Sequence, residues 1–479
     1  MQYRKSTPLM SLIVGLLAVA CGALADDGDS VMRFVDSRYE HTAELARTLW
    51  EYAEVGYLEE KSSGLLQRTL AEEGFAVEAG VAGIPTAFVA SYGDEGPVIG
   101  ILAEFDALPG INQDAVPQRS PVEGKTAGHA CGHNLFGAGS VGAAIAVRHW
   151  LEETGTPGIV RLYGTPAEEG GSGKVYMVRE GLFDDVDIVL HWHADDENSA
   201  EARTTLANRS AKFRFHGVSA HAAGAPEKAR SALDGVEAFN FMVNMMREHV
   251  PQQTRIHYVI TSGGSTPNVV PDYAEVFYYV RHPEAEQVKA IWERVEQAAR
   301  AAALGTGVEV DWEIIHGNHP VLVNEALAKM MDRTLRIVGG VEYTDEEDAF
   351  ARDIYPTLAD PELPIGSQAV VQPYEVSLGY GSTDVGDVSM AVPTVGLRVA
   401  TWVPGTAAHS WQAVAASGTS IGYKGAQVAA KTLALAATEL MQNAELRREA
   451  RAEFEERRGP DFRYEALLGD RAPPLDYRK

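Results

Sequence analysis

Up to about residue 206, short apolar runs that predict strands alternate along the chain with segments of helical apolar periodicity. Strand-like runs lie at residues 98–108, 159–163 and 186–190, and helical periodicity occupies residues 40–75, 137–150 and 171–179. The strand-like runs are almost continuously apolar, which is typical of strands buried on both faces of a parallel sheet. Strands that alternate with helices predict an α/β fold: a mostly parallel, doubly wound sheet with helices on both faces.

The pattern changes between residues 207 and 318. Strand-like and helix-like segments follow one another there in the order βαββαβ, which is typical of a ferredoxin-like unit. Because such a unit is self-contained, we predict an α+β domain inserted into the α/β domain. The predicted parts are the first α/β segment at 30–206, the insert at 207–318, the second α/β segment at 319–445 and a charged tail at 446–479.

Residues 1–25 have the pattern of a secretory signal peptide. A basic Arg4-Lys5 pair precedes an apolar run at 9–20, and Ala23-Leu24-Ala25 is a cleavage site of small residues. A lipobox that ends in Cys21 is the alternative, in which Cys21 would carry a lipid anchor. The apolar run is too short for a membrane span, and no other run is long enough. We expect an exported protein, periplasmic or secreted.

The net charge and the number of cysteines argue against a nucleic-acid partner and against an internal disulfide. The 41 basic and 67 acidic residues give a net charge of −26, which argues against a nucleic-acid partner because such binding needs basic surfaces. Of the two cysteines, one lies in the signal segment, so the mature chain has only Cys131 and cannot form an internal disulfide. Metal ligation would protect a lone thiol in an oxidising compartment.

Four short stretches contain thiol, imidazole and carboxylate groups, the ligand types that hold Zn²⁺ and related ions. They are His129-Ala130-Cys131-Gly132-His133, Pro166-Ala167-Glu168-Glu169, His191-Trp192-His193 and Ala408-His409-Ser410. Each follows a predicted strand or lies in a loop that opens a helix, where open α/β sheets bind ligands. The sequence therefore predicts that the four stretches form one metal site.

Each stretch also has an alternative interpretation. Cys131 with His133 as its base would form a nucleophilic pair, although residues two apart in a loop rarely reach that geometry. For Glu168 and Glu169 the alternative is a pair of solvated acidic residues in the first turn of a helix. In the metal-site interpretation, one of the two binds a metal ion while the other accepts a proton from metal-bound water. Residues two apart on a strand share a face, so either histidine of the 191–193 stretch could be the ligand.

Further acidic residues are candidates to orient the ligands through hydrogen bonds. Asp106 follows the first buried strand, and Asp384 lies in Gly381-Ser382-Thr383-Asp384. Glu104 has either a similar role or a purely structural one.

The longest motifs resemble those of the metal-dependent amidohydrolases and carboxypeptidases of metallopeptidase clan MH, in the aminoacylase-like branch that has a cysteine ligand. These motifs occupy residues 128–134, 164–170, 381–389 and 409–412, and the resemblance runs from about residue 35 to residue 460. Asn134 stands where many relatives have aspartate, and it matches the aminobenzoyl-glutamate hydrolase type. In this family the inserted domain serves as a dimerisation or lid domain.

The resemblance implies a role for individual residues. Two divalent ions, Zn²⁺ or alternatively Mn²⁺ or Co²⁺, would be held by Cys131, His133, Glu169, His193 and His409. Glu168 would be the general base, and His221 would stabilise the oxyanion in the site of a neighbouring protomer. Asn268 and Arg281 would hold the free carboxylate of the substrate, which arginine grips with two parallel hydrogen bonds.

The implied function is hydrolysis of the amide bond in an N-acyl or N-aroyl amino acid with a free carboxylate, such as p-aminobenzoyl-glutamate. A dipeptidase or an N-acetyl-amino-acid deacylase would use the same scaffold. A non-catalytic metal-site binding protein is disfavoured by the intact Glu168. The resemblance also implies a homodimer, or a heterodimer with a related subunit. The metal and the physiological substrate stay open at this point.

Overall fold

The computed structural model describes residues 28–478, so the predicted signal peptide and Cys21 lie outside the described residues. Before the insert, the helices are α1 (Tyr39–Tyr52), α2 (Glu60–Glu72), α3 (His133–Thr154) and α4 (Gly173–Arg179). The strands are β1 (Ala76–Ala79), β2 (Phe88–Tyr92), β3 (Val98–Ala103), β4 (Ile159–Gly164), β5 (Ile188–Asp195) and β6 (Ser199–Glu201). Four strands of two residues, Leu108–Pro109, Ala127–Gly128, Arg203–Thr204 and Ser377–Leu378, pair in two small sheets.

The insert has the predicted order of elements. They are β7 (Ala207–His216), α5 (Ala232–Met246), β8 (Arg255–Ser262), β9 (Tyr273–His282), α6 (Ala285–Thr306) and β10 (Glu309–Asn318). The strands form an antiparallel sheet in the order β8-β9-β7-β10, which is the ferredoxin-like arrangement. Alternate residues of β9 are buried, and they pack with Phe213, Phe239 and Trp292 in a core separate from the main one.

After the insert the chain is mostly helical. The elements are α7 (Glu325–Val338), α8 (Asp345–Ile354), α9 (Val385–Ala391), β11 (Thr394–Ala400), α10 (Trp411–Ser417), α11 (Ser420–Gln442) and α12 (Ala444–Arg458). The alanine-rich α11 is buried along much of its length and packs against α3. Small side chains allow this close helix packing.

The main sheet has the order β1-β2-β4-β3-β5-β11-β6. Its four central strands, β4, β3, β5 and β11, are parallel; β2 and β6 run antiparallel to them, and the outermost strand β1 pairs antiparallel with β2. The predicted fold class, a largely parallel α/β sheet with an inserted ferredoxin-like domain, is therefore confirmed. The short edge strands were not predicted from the sequence, because they contain few apolar residues in a row.

Parallel strands place their carboxyl ends at one edge of the sheet, and the predicted ligands lie near that edge. Glu104 and Asp106 follow β3, and Glu168 and Glu169 follow β4. Strand β5 is longer than expected and includes His193, so this histidine lies within a strand rather than beyond it. No helix among the described residues 28–478 has the length and apolarity needed to span a bilayer.

Candidate metal centre

Cys131, His133 and His193 form a first group of donor atoms. The Sγ of Cys131 lies 3.4 Å from Nε2 of His193, and the three donor atoms lie within 4.8 Å of one another. Gly132 precedes α3 with a left-handed φ of 71°, and an added Cβ there would lie 2.4 Å from Cβ of Ala194. Glycine thus lets the cysteine loop pack directly on β5, which brings the thiol and both imidazoles together.

Glu169 and His409 form a second group with Cys131. The Oε1 of Glu169 lies 3.2 Å from Nε2 of His409. The backbone N–H of His409 donates to the carbonyl of Ala130 at 2.9 Å, which ties its loop to the cysteine loop. Cys131 therefore belongs to two donor groups that lie side by side.

Glu104, His133 and Glu168 form a third group. Nε2 of His133 lies 3.0 Å from Oε2 of Glu104. From the sequence alone, Glu104 was a candidate for an orienting or structural role and was not among the predicted ligands. The structure places its carboxylate directly beside the imidazole of a predicted ligand.

Apart from these contacts with one another and with His409, three buried atoms of the groups make no hydrogen bond among residues 28–478: Nε2 of His133, Oε2 of Glu104 and Oε1 of Glu169. Buried imidazole and carboxylate groups are normally satisfied by further hydrogen bonds, so lone pairs left facing one another in one place need an explanation. Thiol, imidazole and carboxylate groups are the donors that Zn²⁺ and related ions prefer. The residues present therefore fit divalent metal ions.

The charges of the donors support this interpretation. Burial opposes a thiolate, but His193 and His133 hold the pKa of Cys131 well below its usual range. Burial, with the nearby carboxylates of Glu104 and Glu169, raises the pKa of Glu168 well above its usual range. Hydrogen bonds to Cys131 and Glu169 raise the pKa of His409 to about 10. Protons and metal ions compete for the same lone pairs, so metal binding should release protons.

Asp106 contacts two of the predicted ligands. Its Oδ1 accepts a hydrogen bond from Nδ1 of His133 at 3.0 Å, and its Oδ2 accepts one from the backbone N–H of Glu169 at 3.0 Å. Burial raises the pKa of Asp106, but His133 outweighs it, so the pKa lies below its usual range. These contacts are the ones that the predicted orienting role requires.

The turn that carries Glu168 and Glu169 is strained. Ala167 is buried with a φ of 58°, a left-handed conformation that costs a non-glycine residue about 1–2 kcal/mol. Its N–H donates to Oε1 of Glu59 at 2.9 Å, while Oε2 of Glu59 accepts from Oγ1 of Thr86 at 3.0 Å. Glu59 thus holds the turn from a distant part of the chain. Its role was not predicted from the sequence, because it belongs to no motif.

A buried lysine connects Asp384 to the donor groups. The Nζ of Lys174 lies 2.7 Å from Oε1 of Glu104 and 2.6 Å from Oδ1 of Asp384. Oδ2 of Asp384 also accepts from the backbone N–H of Lys174 at 2.9 Å. Asp384, predicted as an orienting residue, therefore contacts Lys174, which in turn contacts Glu104 of the third donor group. Lys174 was missed because a single lysine at the start of a helix carries no ligand signal.

Lys174→Met should lower the free energy of unfolding by about 3–5 kcal/mol, because it leaves two buried carboxylates without a cation. Lys289 is a matched control: it pairs with Glu286 and Glu465, and its side chain is 27% exposed. Lys289→Met should cost less than about 1 kcal/mol. Chemical denaturation of the metal-loaded proteins measures both values. Equal losses of unfolding free energy would show that the buried ion pairs of Lys174 stabilise the fold no more than the exposed pairs of Lys289.

The donors open onto a cavity of about 590 Å³ between the two domains, which Asn208, Tyr279, Arg281 and His316 of the insert also line. The guanidinium of Arg281 stacks on the ring of Tyr279, 5.3 Å from its centroid. Its buried Nε has no hydrogen-bond partner among the described residues, and burial lowers the pKa of Arg281. The cavity therefore contains a guanidinium that no carboxylate of the described chain neutralises.

The two strand histidines differ. Both line the cavity, but only His193 belongs to a donor group within the described part of the chain. The ring of His191 packs on Gly396, where an added Cβ would lie 2.3 Å from it. Burial lowers the pKa of His191 to about 4, which is typical of a neutral core histidine.

His221 and Asn268 do not line the cavity. Both are exposed; Nδ1 of His221 accepts from the N–H of Gly224 at 3.1 Å, and the carbonyl of Asn268 accepts from the N–H of Ala222 at 3.1 Å. Within one chain, Asn268 therefore does not join Arg281 around a single carboxylate as expected. The reason is that its loop is exposed on the surface of the insert.

Comparison with known proteins identifies the family. The model of peptidase family M20/M25/M40 matches residues 100–357, a range that contains the cysteine loop, the glutamate pair and β5. The chain belongs to this peptidase family. One of the two related subunits of p-aminobenzoyl-glutamate hydrolase from Escherichia coli is 39% identical over 89% of this chain and 95% of the relative. Mouse Xaa-Arg dipeptidase is 30% identical over 88% and 90%.

Solved structures of this family share the fold at lower identity. An aminobenzoyl-glutamate utilization protein from Klebsiella pneumoniae is 18% identical with a TM-score of 0.59, over 86% of this chain and 98% of that one. A dinuclear metal-binding M20 peptidase from Bacillus subtilis is 18% identical with a TM-score of 0.58, over 85% and 99%. The predicted family is confirmed, and this M20 family member is a hydrolase that acts on amide bonds.

Proposed function

We propose that this M20 family member is an exported, two-metal amidohydrolase that cleaves N-acyl or N-aroyl amino acids with a free α-carboxylate, of the p-aminobenzoyl-glutamate type. The observation that carries the proposal is Arg281, a half-buried guanidinium that has no carboxylate partner among the described residues and lines the cavity of the metal donors. Burying an unpaired cation is costly, and a substrate carboxylate bound through two hydrogen bonds offsets that cost.

The residues that would hold the metal ions are Cys131, His133, Glu169, His193 and His409. We propose Zn²⁺ in both positions, because thiolate and imidazole ligands together favour it over Mn²⁺ or Co²⁺. When bound, the ions polarise the amide carbonyl and acidify the attacking water. Glu104, beside His133, is a further candidate for the same coordination.

Glu168 takes the proton from the attacking water and passes it to the leaving amine nitrogen. Its carboxylate lines the cavity, and a raised pKa suits a group that must both accept and release a proton. Asp106 keeps the ring of His133 and the backbone of Glu169 in place during this transfer.

Arg281→Lys should raise KM at least about tenfold for N-benzoyl-glutamate and change kcat much less, because lysine cannot form the paired hydrogen bonds. Arg255 is the matched control, since it faces Arg281 across the β8–β9 ladder but is exposed. Arg255→Lys should leave KM unchanged. Steady-state kinetics should cover p-aminobenzoyl-glutamate, N-acetyl amino acids and dipeptides. Failure of the zinc-loaded wild type to hydrolyse any N-acyl amino acid would refute the proposed function.

The chain would assemble through an exposed apolar surface of the insert, formed by Phe241, Met245, Val259 and Ile260. Phe241 is 66% exposed on α5, and Val259 is 55% exposed on β8, which is an edge strand of its sheet. Open strand edges and apolar patches of this kind are typical of protein interfaces. We propose a homodimer, with a related subunit as the alternative partner, since p-aminobenzoyl-glutamate hydrolase of Escherichia coli has two different subunits that both resemble this chain.

In such a dimer His221 and Asn268 would reach the cavity of the partner chain, where His221 would stabilise the oxyanion and Asn268 the substrate carboxylate. Light scattering after gel filtration should give the mass of two chains. A monomer with full activity would contradict this assembly.

The export proposal rests on the pattern of residues 1–25. The mass of the mature protein distinguishes its two forms, since a chain that begins at Asp26 implies simple cleavage and a lipid-modified Cys21 implies an anchor. Unprocessed protein in the cytoplasm would contradict both.

A further inference from the structure

Residues 459–478 form an arm that follows α12 and runs along both domains to the turn of the metal ligands. We propose that this arm is part of the active site, and that Arg478 binds a second carboxylate of the substrate. Arg478 would then determine specificity for N-acyl derivatives of acidic amino acids, aspartate or glutamate. This inference rests on the proposed function and deepens it.

The first half of the arm is anchored in two hydrophobic cores. Ala466 and Leu468 are buried in the main core, whereas Leu467 between them is buried in the core of the insert. The carbonyl of Leu467 accepts a hydrogen bond from Nε of Arg209 at 2.6 Å, and Tyr464 donates to Oδ1 of Asp387 at 2.8 Å. The packing of both domains therefore sets the path of the arm.

The second half of the arm is held by polar contacts. Arg471 pairs with Oε1 of Glu313 at 2.9 Å, and its carbonyl accepts from Nη1 of Arg179 at 2.8 Å. The ring of Tyr477 packs edge-on against Tyr57, with the centroids 5.5 Å apart. The last described residues of the arm are thus held in a defined place.

That place is the turn of the metal ligands. Tyr477 donates through its hydroxyl to the carbonyl of Glu169 at 3.2 Å, and Nη2 of Arg478 donates to the same carbonyl at 2.5 Å. Arg478 also lines the metal cavity. Its buried Nε has no hydrogen-bond partner among residues 28–478. A guanidinium has five N–H donors, so this arginine has donors to spare for a ligand.

The unpaired positive charges around the cavity favour an anionic ligand with more than one carboxylate. Among the lining carboxylates, Glu104 pairs with Lys174, and Glu201 pairs with Arg398 at 2.9 Å. Glu168 and Glu169 belong to the metal donor groups. Three lining arginines form no ion pair within the described chain: Arg203, Arg281 and Arg478. One α-carboxylate would neutralise only Arg281.

Arg478 is a better candidate for the second carboxylate than Arg203. Arg203 also lines a neighbouring cavity that contains Glu197 and Glu375, so acidic groups of the protein surround it on one side. Arg478 instead donates to the carbonyl of Glu169, a predicted metal ligand, and lines the cavity of the metal donors. An amide bound at the proposed metal ions would place its leaving amino acid on the side of the cavity that Arg478 lines.

The test compares N-benzoyl-glutamate with N-benzoyl-glutamine, which has nearly the same shape but a neutral side chain. The wild type should prefer glutamate, and Arg478→Gln should reduce the ratio of the two kcat/KM values about tenfold or more, the usual loss when a charged hydrogen bond is removed. Arg478→Lys should restore part of the ratio. Tyr477→Phe, which removes the other donor to Glu169, should leave the ratio unchanged.

An unchanged ratio in Arg478→Gln would overturn the proposal, as would an equal loss for both substrates, which indicates a role in holding Glu169 only. A ratio that collapses in Arg203→Gln alone would assign the second carboxylate to Arg203. If the wild type hydrolyses no N-acyl amino acid, the proposed function fails. Calorimetric titration of the zinc-loaded protein with glutarate, a dicarboxylate, then tests separately whether Arg478 binds a carboxylate. Glutarate binding that is lost in Arg478→Gln supports the proposal; binding that is absent from the wild type or unaffected by Arg478→Gln overturns it.

Discussion

Glu168→Ala is expected to lower kcat for amide hydrolysis by about 10³-fold while the bound metal ions are retained. General-base catalysis contributes roughly 10²–10⁴-fold in rate. We assign the proton transfer to Glu168, one of the two carboxylates in the turn after β4. The mutation removes no predicted metal ligand. Kinetics on p-aminobenzoyl-glutamate and metal analysis of the same protein sample measure both parts of the prediction.

The neighbouring residue serves as the control for this prediction. Glu169→Ala should lose metal as well as activity, because Oε1 of Glu169 lies in the donor group with Cys131 and His409. Glu168→Gln should keep the shape of the side chain and be as inactive as Glu168→Ala, since an amide cannot accept the proton. Substantial turnover in Glu168→Ala would refute the assignment of the base, and metal loss in that variant would make Glu168 a ligand instead.

His193→Ala is expected to remove at least one of the metal ions and to lower kcat/KM by about 10²-fold or more. Mutating a residue that only hydrogen-bonds to a metal ligand already costs about 10–100-fold, and loss of a ligand itself should cost at least as much. The physical reason is the position of Nε2, 3.4 Å from the thiol of Cys131 in the first donor group. Inductively coupled plasma mass spectrometry of the dialysed protein gives the metal content directly.

His191→Ala is the matched control, because His191 lies two residues away on the same strand and lines the same cavity. Its ring packs on Gly396 and belongs to no donor group in the described part of the chain, so the variant should keep its full metal content. The reverse result, with metal lost from His191→Ala and kept in His193→Ala, would exchange the two histidines and contradict the assigned ligand set.

Several features of this protein could be predicted from the sequence alone. Strands β3, β4 and β5 are six to eight residues long and begin with apolar residues, so they stand out in the sequence. Cys131 and His133, or Glu168 and Glu169, lie within a few positions of each other, and their motifs are recognisable for that reason. Buried strands and catalytic loops are both local patterns, and local patterns are visible in a sequence.

Other features depend on pairs of residues that are far apart in the chain. Lys174 and Asp384 are separated by 210 positions, and Glu59 and Ala167 by 108. A buried ion pair or a hydrogen bond of this kind leaves no periodicity or spacing in the sequence. Lys174, Glu59 and the role of Glu104 were accordingly missed or left undecided.

The sequence by itself determined the α/β fold class, the inserted domain and the family, and it predicted a ligand set drawn from four short stretches. Tertiary structure alone decided that Glu104 faces His133, that Arg281 has no counter-ion among residues 28–478, that His221 and Asn268 do not line the cavity of their own chain, and that the arm brings Arg478 to Glu169. The reason is physical: folding brings distant segments into contact, and charge compensation, burial and exposure are properties of those contacts rather than of any one segment.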